Sequence, residues 1–222
     1  MRFKSLWLSG TAASALLLVV AANATPLFQV TVWSASTPDS SIGSANQQAL
    51  PSNQVISASN EIATFTLTGL PNWVVGSQSS NTLGNFIGTA GISNLTFYNG
   101  GSVNSVLSTS GFASVSIFDL QFNPHHWATG TVTHDDGVSL YDNGGSSSAD
   151  QIMNSAYPTT AITTSFSTVG TSGPYNLWYL EANGAPSVLQ VSATNVPEPG
   201  TIALLAAGLL GLGFAIGLRR RV

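Results

Sequence analysis

Ala128-Thr129-Gly130-Thr131-Val132-Thr133-His134-Asp135-Asp136-Gly137-Val138-Ser139-Leu140-Tyr141 places two alternating runs on either side of an acidic turn. Alternation of small or apolar residues with polar ones, over four to eight positions, is the signature of a strand with one buried face. Asp-Gly between two such runs is a strong short-range hairpin signal. The stretch therefore predicts strands over 128–134 and 138–141, joined by a tight hairpin at Asp135-Asp136-Gly137.

The same period recurs outward from this pair. Strands are expected at 27–33, 61–67, 92–98, 114–122, 162–169, 175–181 and 187–192. Between them, 34–60, 72–84 (pinned by Trp73) and 143–150 read as loops, 152–157 as one helical turn, and 171–174 and 183–186 as turns. Many short strands with almost no helical periodicity point to an all-β fold, an antiparallel β-sandwich of jelly-roll-like kind. No repeat of fixed period is present, which argues against a propeller or β-helix.

Both ends carry targeting chemistry. Met1-Arg2-Phe3-Lys4 is a positive n-region, 6–20 an apolar h-region, and Ala22-Asn23-Ala24 a small-residue cleavage site, so 1–24 reads as a signal peptide. The C-terminal end, 196–222, reads Val196-Pro197-Glu198-Pro199-Gly200, an uncharged apolar run over 201–218, then Arg219-Arg220-Arg221. At 1.5 Å rise per residue the run makes a helix of roughly 27 Å, close to a bilayer's hydrocarbon thickness. The arginines hold their end on the cytoplasmic side. Between the two segments lies one exported domain, 25–195.

That domain is unusual in charge. All five Lys and Arg of the chain lie in the targeting segments, whereas eight of its nine carboxylates, all but Glu198, lie between them. Without a basic patch there is no electrostatic footprint for nucleic acid. No Arg or Lys can clamp a phosphate. The chain has no cysteine, and an exported domain of this size buries enough surface to fold without disulfides.

Adjacent carboxylates repel, and those of Asp135 and Asp136 call for hydration or a cation. Calcium prefers oxygen donors from such loops, although the EF-hand spacing is absent, and a plain solvated turn is the competing reading. His125 and His126 would point to opposite faces of a strand, and His134 stands alone beside the turn, so a zinc site is not indicated. No G-x-S-x-G elbow is present. Glu61 and Glu181 form a glycosidase pair only if the fold brings them together. Trp73, Trp127, Trp178, Tyr141 and Tyr179 are candidates for stacking on sugars. Trp178 and Tyr179, neighbours in one strand, should divide between core and surface.

Two resemblances add to these readings. Val196-Pro197-Glu198-Pro199, the apolar span and the closing arginines resemble the PEP-CTERM sorting signal of bacteria that make extracellular polysaccharide. After signal peptidase has removed 1–24, this implies processing by an exosortase near Pro-Glu-Pro and delivery from the inner membrane to the cell surface or extracellular matrix. Residues 132–141 and 175–192 are similar to the strand–turn–strand and closing strand pair of protective-antigen-type β-sandwich domains. In the lectin members of that family, the flocculins, two adjacent Asp and a later Asn bind calcium, which holds sugar hydroxyls. That resemblance implies Asp135, Asp136 and Asn183 as calcium ligands. The resulting expectation is a non-enzymatic structural or adhesive surface module engaging polysaccharide with calcium. The alternatives are a secreted hydrolase of extracellular polymer and a ligand-free structural filler.

Overall fold

Along β1 (Leu27–Ser36) Phe28, Val30 and Val32 are buried and alternate with Gln29 and Thr31, so the period of two seen in sequence is the period of burial. The computed structural model describes residues 25–36, 44–123 and 127–195. The predicted signal peptide, the 201–218 span and the arginine cluster lie outside the described residues. Among the described residues no helix is long and apolar enough to cross a membrane.

Ten further strands follow: β2 (Glu61–Thr68), β3 (Asn72–Val75), β4 (Ile92–Phe97), β5 (Ser114–Phe122), β6 (Trp127–Asp135), β7 (Gly137–Tyr141), β8 (Gln151–Ser155), β9 (Ile162–Ser167), β10 (Tyr175–Glu181) and β11 (Ser187–Asn195). They form a seven-stranded sheet, β4-β2-β1-β5-β10-β7-β8, and a four-stranded sheet, β3-β11-β6-β9. Each strand pairing is antiparallel. The described residues form an antiparallel β-sandwich.

The core fills the space between the sheets. Phe28, Phe118, Leu120, Leu177 and Tyr179 of the larger sheet meet Trp73, Val132, Phe166 and Leu189 of the smaller. Trp73, Phe86, Phe118 and Tyr179 form an aromatic knot, with ring centroids 5.5–6.2 Å apart. Each such side chain, fully buried, stabilises by about 1.5–3 kcal/mol relative to exposure. Phe86 comes from a short helix, α1 (Leu83–Ile87).

Three expectations need correction. Residues 72–84 are not a loop: Asn-Trp-Val-Val alternates in burial as β3, pairing with β11, and α1 follows. Residues 152–157 are not a helical turn: β8 pairs with β7, whose ladder satisfies backbone groups that so short a helix would leave open.

The third correction concerns the acidic turn, which does not close a hairpin. β6 lies in the four-stranded sheet, with both edges occupied by β11 and β9, while β7 lies between β10 and β8 in the other. At Asp135-Asp136 the chain crosses from one layer to the other, through a cis peptide bond. Gly137 does not take the positive φ that a type I′ turn requires. It is glycine because a Cβ there would overlap the Ala156 carbonyl. The Asp-Gly pair marks a close backbone approach.

Residues 44–60, read in sequence as part of a long loop, cover the outer face of the seven-stranded sheet. Ala49 and Val55 are buried there against Val115, Ile117, Trp178 and Leu180. The Asn53 amide donates to the carbonyls of Asn46 (3.1 Å) and Gln48 (2.8 Å), and the Asn60 amide donates to that of Val55 (2.9 Å). Side-chain bonds thus replace a ladder in a segment whose sequence has no period.

Candidate functional site

The layer crossing creates the site. Asp135 ends β6 and Asp136 follows it, while β10 ends at Glu181 beside them and leads to Asn183. Asp135, Asp136 and Asn183 line one cleft of about 260 Å³, together with Phe112, Thr159, Thr160 and Gly184. The three residues implied by the lectin resemblance are brought together. Asp142, in the same acidic run of sequence, stands at the other end of β7, about 20 Å from Asp136 at 3.4 Å per residue. There it accepts the N–H groups of Asn143 (2.8 Å) and Gly173 (2.6 Å).

Backbone amides hold the aspartates. Asp136 Oδ2 accepts the N–H of Ala182 (2.7 Å) and Asn183 (3.1 Å). Its carboxylate also takes the Thr159 N–H, and that of Asp135 takes the Ala161 N–H. Both residues are buried, at 3% and 7% exposure. Burial raises Asp136 to about 7, the Asp135 charge adding to the effect, and raises Asp135 to about 6. No Lys or Arg occurs in 25–195 to offset these charges.

His134 does not offset them either. It is fully buried, and that burial lowers its pKa, favouring the neutral ring. Nδ1 lies 2.6 Å from the Asp136 carbonyl, which can only accept, so Nδ1 carries the proton. Nε2 then accepts from the Thr164 hydroxyl at 2.9 Å. His134 fixes the crossing and is no metal ligand. A histidine directly before the aspartates was the signal for this role, but its direction was not readable from sequence. His125 and His126 lie outside the described residues.

The donor set suits a hard cation. A carboxylate offers about four lone-pair directions. Asp136 uses three on amides and Asp135 one. Asn183 Oδ1 accepts the Gly111 N–H at 3.0 Å, which leaves it one lone pair. Carboxylate and amide oxygens are the ligands calcium prefers, and a full shell of six to eight would be completed by carbonyls, water or hydroxyls. Among the described residues no three His, Cys, Asp or Glu side chains gather as a metal cluster.

The stacking candidates do not face this cleft. Trp178 and Tyr179 do not divide between core and surface, because the seven-stranded sheet is covered on both faces. Tyr179 lies in the aromatic knot, while Trp178 lies under 44–60, stacked on Trp33 at 6.1 Å with no partner for its indole N–H. Trp73 and Tyr141 are buried too, and the Trp127 side chain lies outside the described residues. The aromatic that lines the cleft is Phe112, half-buried, at φ 61°. That left-handed conformation costs a bulky residue about 1–2 kcal/mol, and strain of this kind gathers at functional sites.

Nor do the carboxylates of the hydrolase alternative converge. Glu61 and Glu181 are three strands apart in one sheet, about 14 Å at the usual strand spacing. Glycosidase pairs stand roughly 5–9.5 Å apart. Asp119 pairs across strands with Trp178 and shares its outward face, whereas Glu181 points between the sheets.

The family model of the PEP-CTERM protein-sorting motif matches residues 195–221. The chain carries a PEP-CTERM sorting motif. The match includes Val196, Pro197, Glu198, Pro199, Arg219, Arg220 and Arg221. The motif marks an exported protein that is held at its C-terminal end, processed by an exosortase and delivered to the cell surface. No curated protein sequence matches the chain. Among solved structures it is similar to the PA14 domain of the MpAFP antifreeze protein, at 16% identity over 78% of this chain and 88% of that one, with a TM-score of 0.49. It is also similar to a PA14 sugar-binding domain from an RTX adhesin, at 18% identity over 78% and 91% of the two chains, with a TM-score of 0.49.

Proposed function

We propose that the exported domain is a non-enzymatic structural or adhesive module that binds calcium at Asp135, Asp136 and Asn183 and engages polysaccharide hydroxyls through the ion. The observation that carries this is one cleft lined by two buried, adjacent carboxylates and an amide oxygen, in a domain with no Lys or Arg. A divalent cation stabilises the charged form of two carboxylates whose pKa values burial raises, and its open positions accept vicinal hydroxyls. Phe112 supplies an apolar wall for a sugar face. The sorting motif supports the reading, because it delivers the chain to the surface, where extracellular polymer is found. Before processing, the 201–218 span anchors it in the inner membrane.

The test is thermal melting of the purified protein in calcium and in chelator. A ligand that binds only the folded state stabilises by RT ln(1 + [L]/Kd), about 2.7 kcal/mol at a hundredfold excess over Kd. Asp136→Asn keeps an acceptor for the Ala182 and Asn183 amides, so it should abolish the calcium gain without lowering the melting temperature in chelator. Asn183→Ala should weaken the gain. A melting temperature of the unmutated protein that calcium does not move would make the cleft a structural junction only.

A further inference from the structure

Glu181 is fully buried between the sheets, directly before Ala182, whose N–H holds Asp136. Its carboxyl reaches two hydroxyls. Oε2 lies 3.1 Å from Tyr179 Oη, which also donates to the Asp135 carbonyl. Oε1 accepts from Ser108 Oγ at 2.6 Å, and Ser108 Oγ in turn accepts the Gly184 N–H at 2.8 Å. The Asn81 amide approaches Oε1 at 3.4 Å, and its oxygen accepts the Ser187 hydroxyl at 2.7 Å.

These contacts form two relays. One runs from Glu181 through Tyr179 to the backbone of Asp135. The other runs through Ser108 to the backbone of Gly184, next to Asn183. The aspartate wall and the asparagine wall of the cleft belong to different layers, and the relays from this one carboxyl reach both. A hydroxyl has one proton, and a carbonyl can only accept, so the proton in the Glu181–Tyr179 bond comes from the carboxyl.

We infer that Glu181 is the positioning residue of the cleft, setting the separation of the aspartate pair from Asn183 through the Tyr179 and Ser108 hydroxyls. The inference rests on the calcium reading for its effect on affinity, but not for the relays themselves. Outer-shell hydrogen bonds of this type change metal affinity by about 10–100-fold when removed. The Glu181→Gln amide can donate to Tyr179 and accept from Ser108, so it should preserve both relays.

The experiment uses the full-length chain. Calcium titration calorimetry is combined with amide hydrogen exchange of Asp136 and Gly184 in chelator. Glu181→Gln should bind calcium within about threefold of the unmutated chain. Tyr179→Phe and Ser108→Ala, each cutting one relay, should weaken it about tenfold or more. In chelator, Glu181→Ala should speed exchange at Gly184 although Ser108 is retained, and Tyr179→Phe should speed it at Asp136. Unchanged calcium affinity in folded Tyr179→Phe and Ser108→Ala would overturn the inference. If the unmutated chain takes no calcium, the calcium reading falls. Exchange then decides alone: faster Gly184 and Asp136 amides sustain the positioning role, and unchanged rates end it. Should Glu181→Ala not fold, Gly184 exchange in Glu181→Met, which keeps the bulk and neither hydrogen bond, carries the same decision.

Discussion

Asp119→Asn should make the protein more stable at neutral pH and leave it unchanged in acid. Asp119 is buried at 4% exposure on the outward face of β5, where it accepts from the amides of Gln121 (2.8 Å) and Asn176 (2.8 and 2.9 Å). Burial outweighs those bonds and raises its pKa from 3.8 to about 6. A carboxyl whose folded pKa is raised keeps its proton in the folded state after the unfolded chain has lost it. Stability therefore falls as pH rises from about 4 to about 6, and the full penalty is present above that. At 1.36 kcal/mol per unit, the penalty is at most about 3 kcal/mol. For a domain of this size it amounts to roughly 6–12 °C in melting temperature. Gln121 is exposed, so its amide can turn to accept from the amide that Asp119→Asn introduces. Melting curves in chelator from pH 4 to 8 check the reasoning: the gap between variant and unmutated protein should open between pH 4 and 6 and then stay constant. A gap independent of pH, or a variant less stable at pH 7.5, would refute it. Asp135, Asp136 and Glu181, also raised by burial, act with the same sign in both proteins and cancel in the difference.

Gly137→Ala should destabilise the protein by about 1–3 kcal/mol, because the new methyl overlaps the Ala156 carbonyl at the layer crossing. Urea unfolding measures this, and a neutral result would show that the crossing is loosely packed. Replacing Pro197, Glu198 and Pro199 with alanine should leave full-length protein in the inner membrane. Cell fractionation with an antibody to the exported domain checks it, and normal release would remove the exosortase from the pathway of this chain.

The strands with one clean apolar face were legible in sequence, since Phe28, Val30 and Val32 of β1 or Val138 and Leu140 of β7 repeat every second residue. What escaped was of three physical kinds. β3 and β8 are short and set apolar residues side by side (Trp73-Val74-Val75, Ile152-Met153) instead of alternating them, and are strands because a neighbour pairs with them. Residues 44–60 are held by the Asn53 and Asn60 side chains, a tertiary role that no pattern announces. The Asp-Gly signal has two structural meanings, tight turn and close approach, and local sequence does not separate them. Of the cleft residues, Asp135 and Asp136 were marked by their adjacent charges as well as by resemblance, and Asn183 by resemblance alone. Phe112 was missed because its position depends on a left-handed backbone, and Glu181 was singled out only as a hydrolase candidate, because its partners Ser108 and Asn81 lie 73 and 100 residues away.

β11 runs without a break into the sorting motif. It is an interior strand, paired with β3 at four positions and with β6 at eight. Antiparallel hydrogen bonds lie perpendicular to their strands, so a load applied along β11 would shear its bonds to β6 together, and over Ser187–Gln190 those to β3 as well. A strand at an edge, pulled sideways, would instead lose its bonds one after another. At its far end Val188 pairs with Asp135, so a load placed on the cleft would reach Asn195 along one strand, held on both sides over Val188–Gln190 and by β6 beyond.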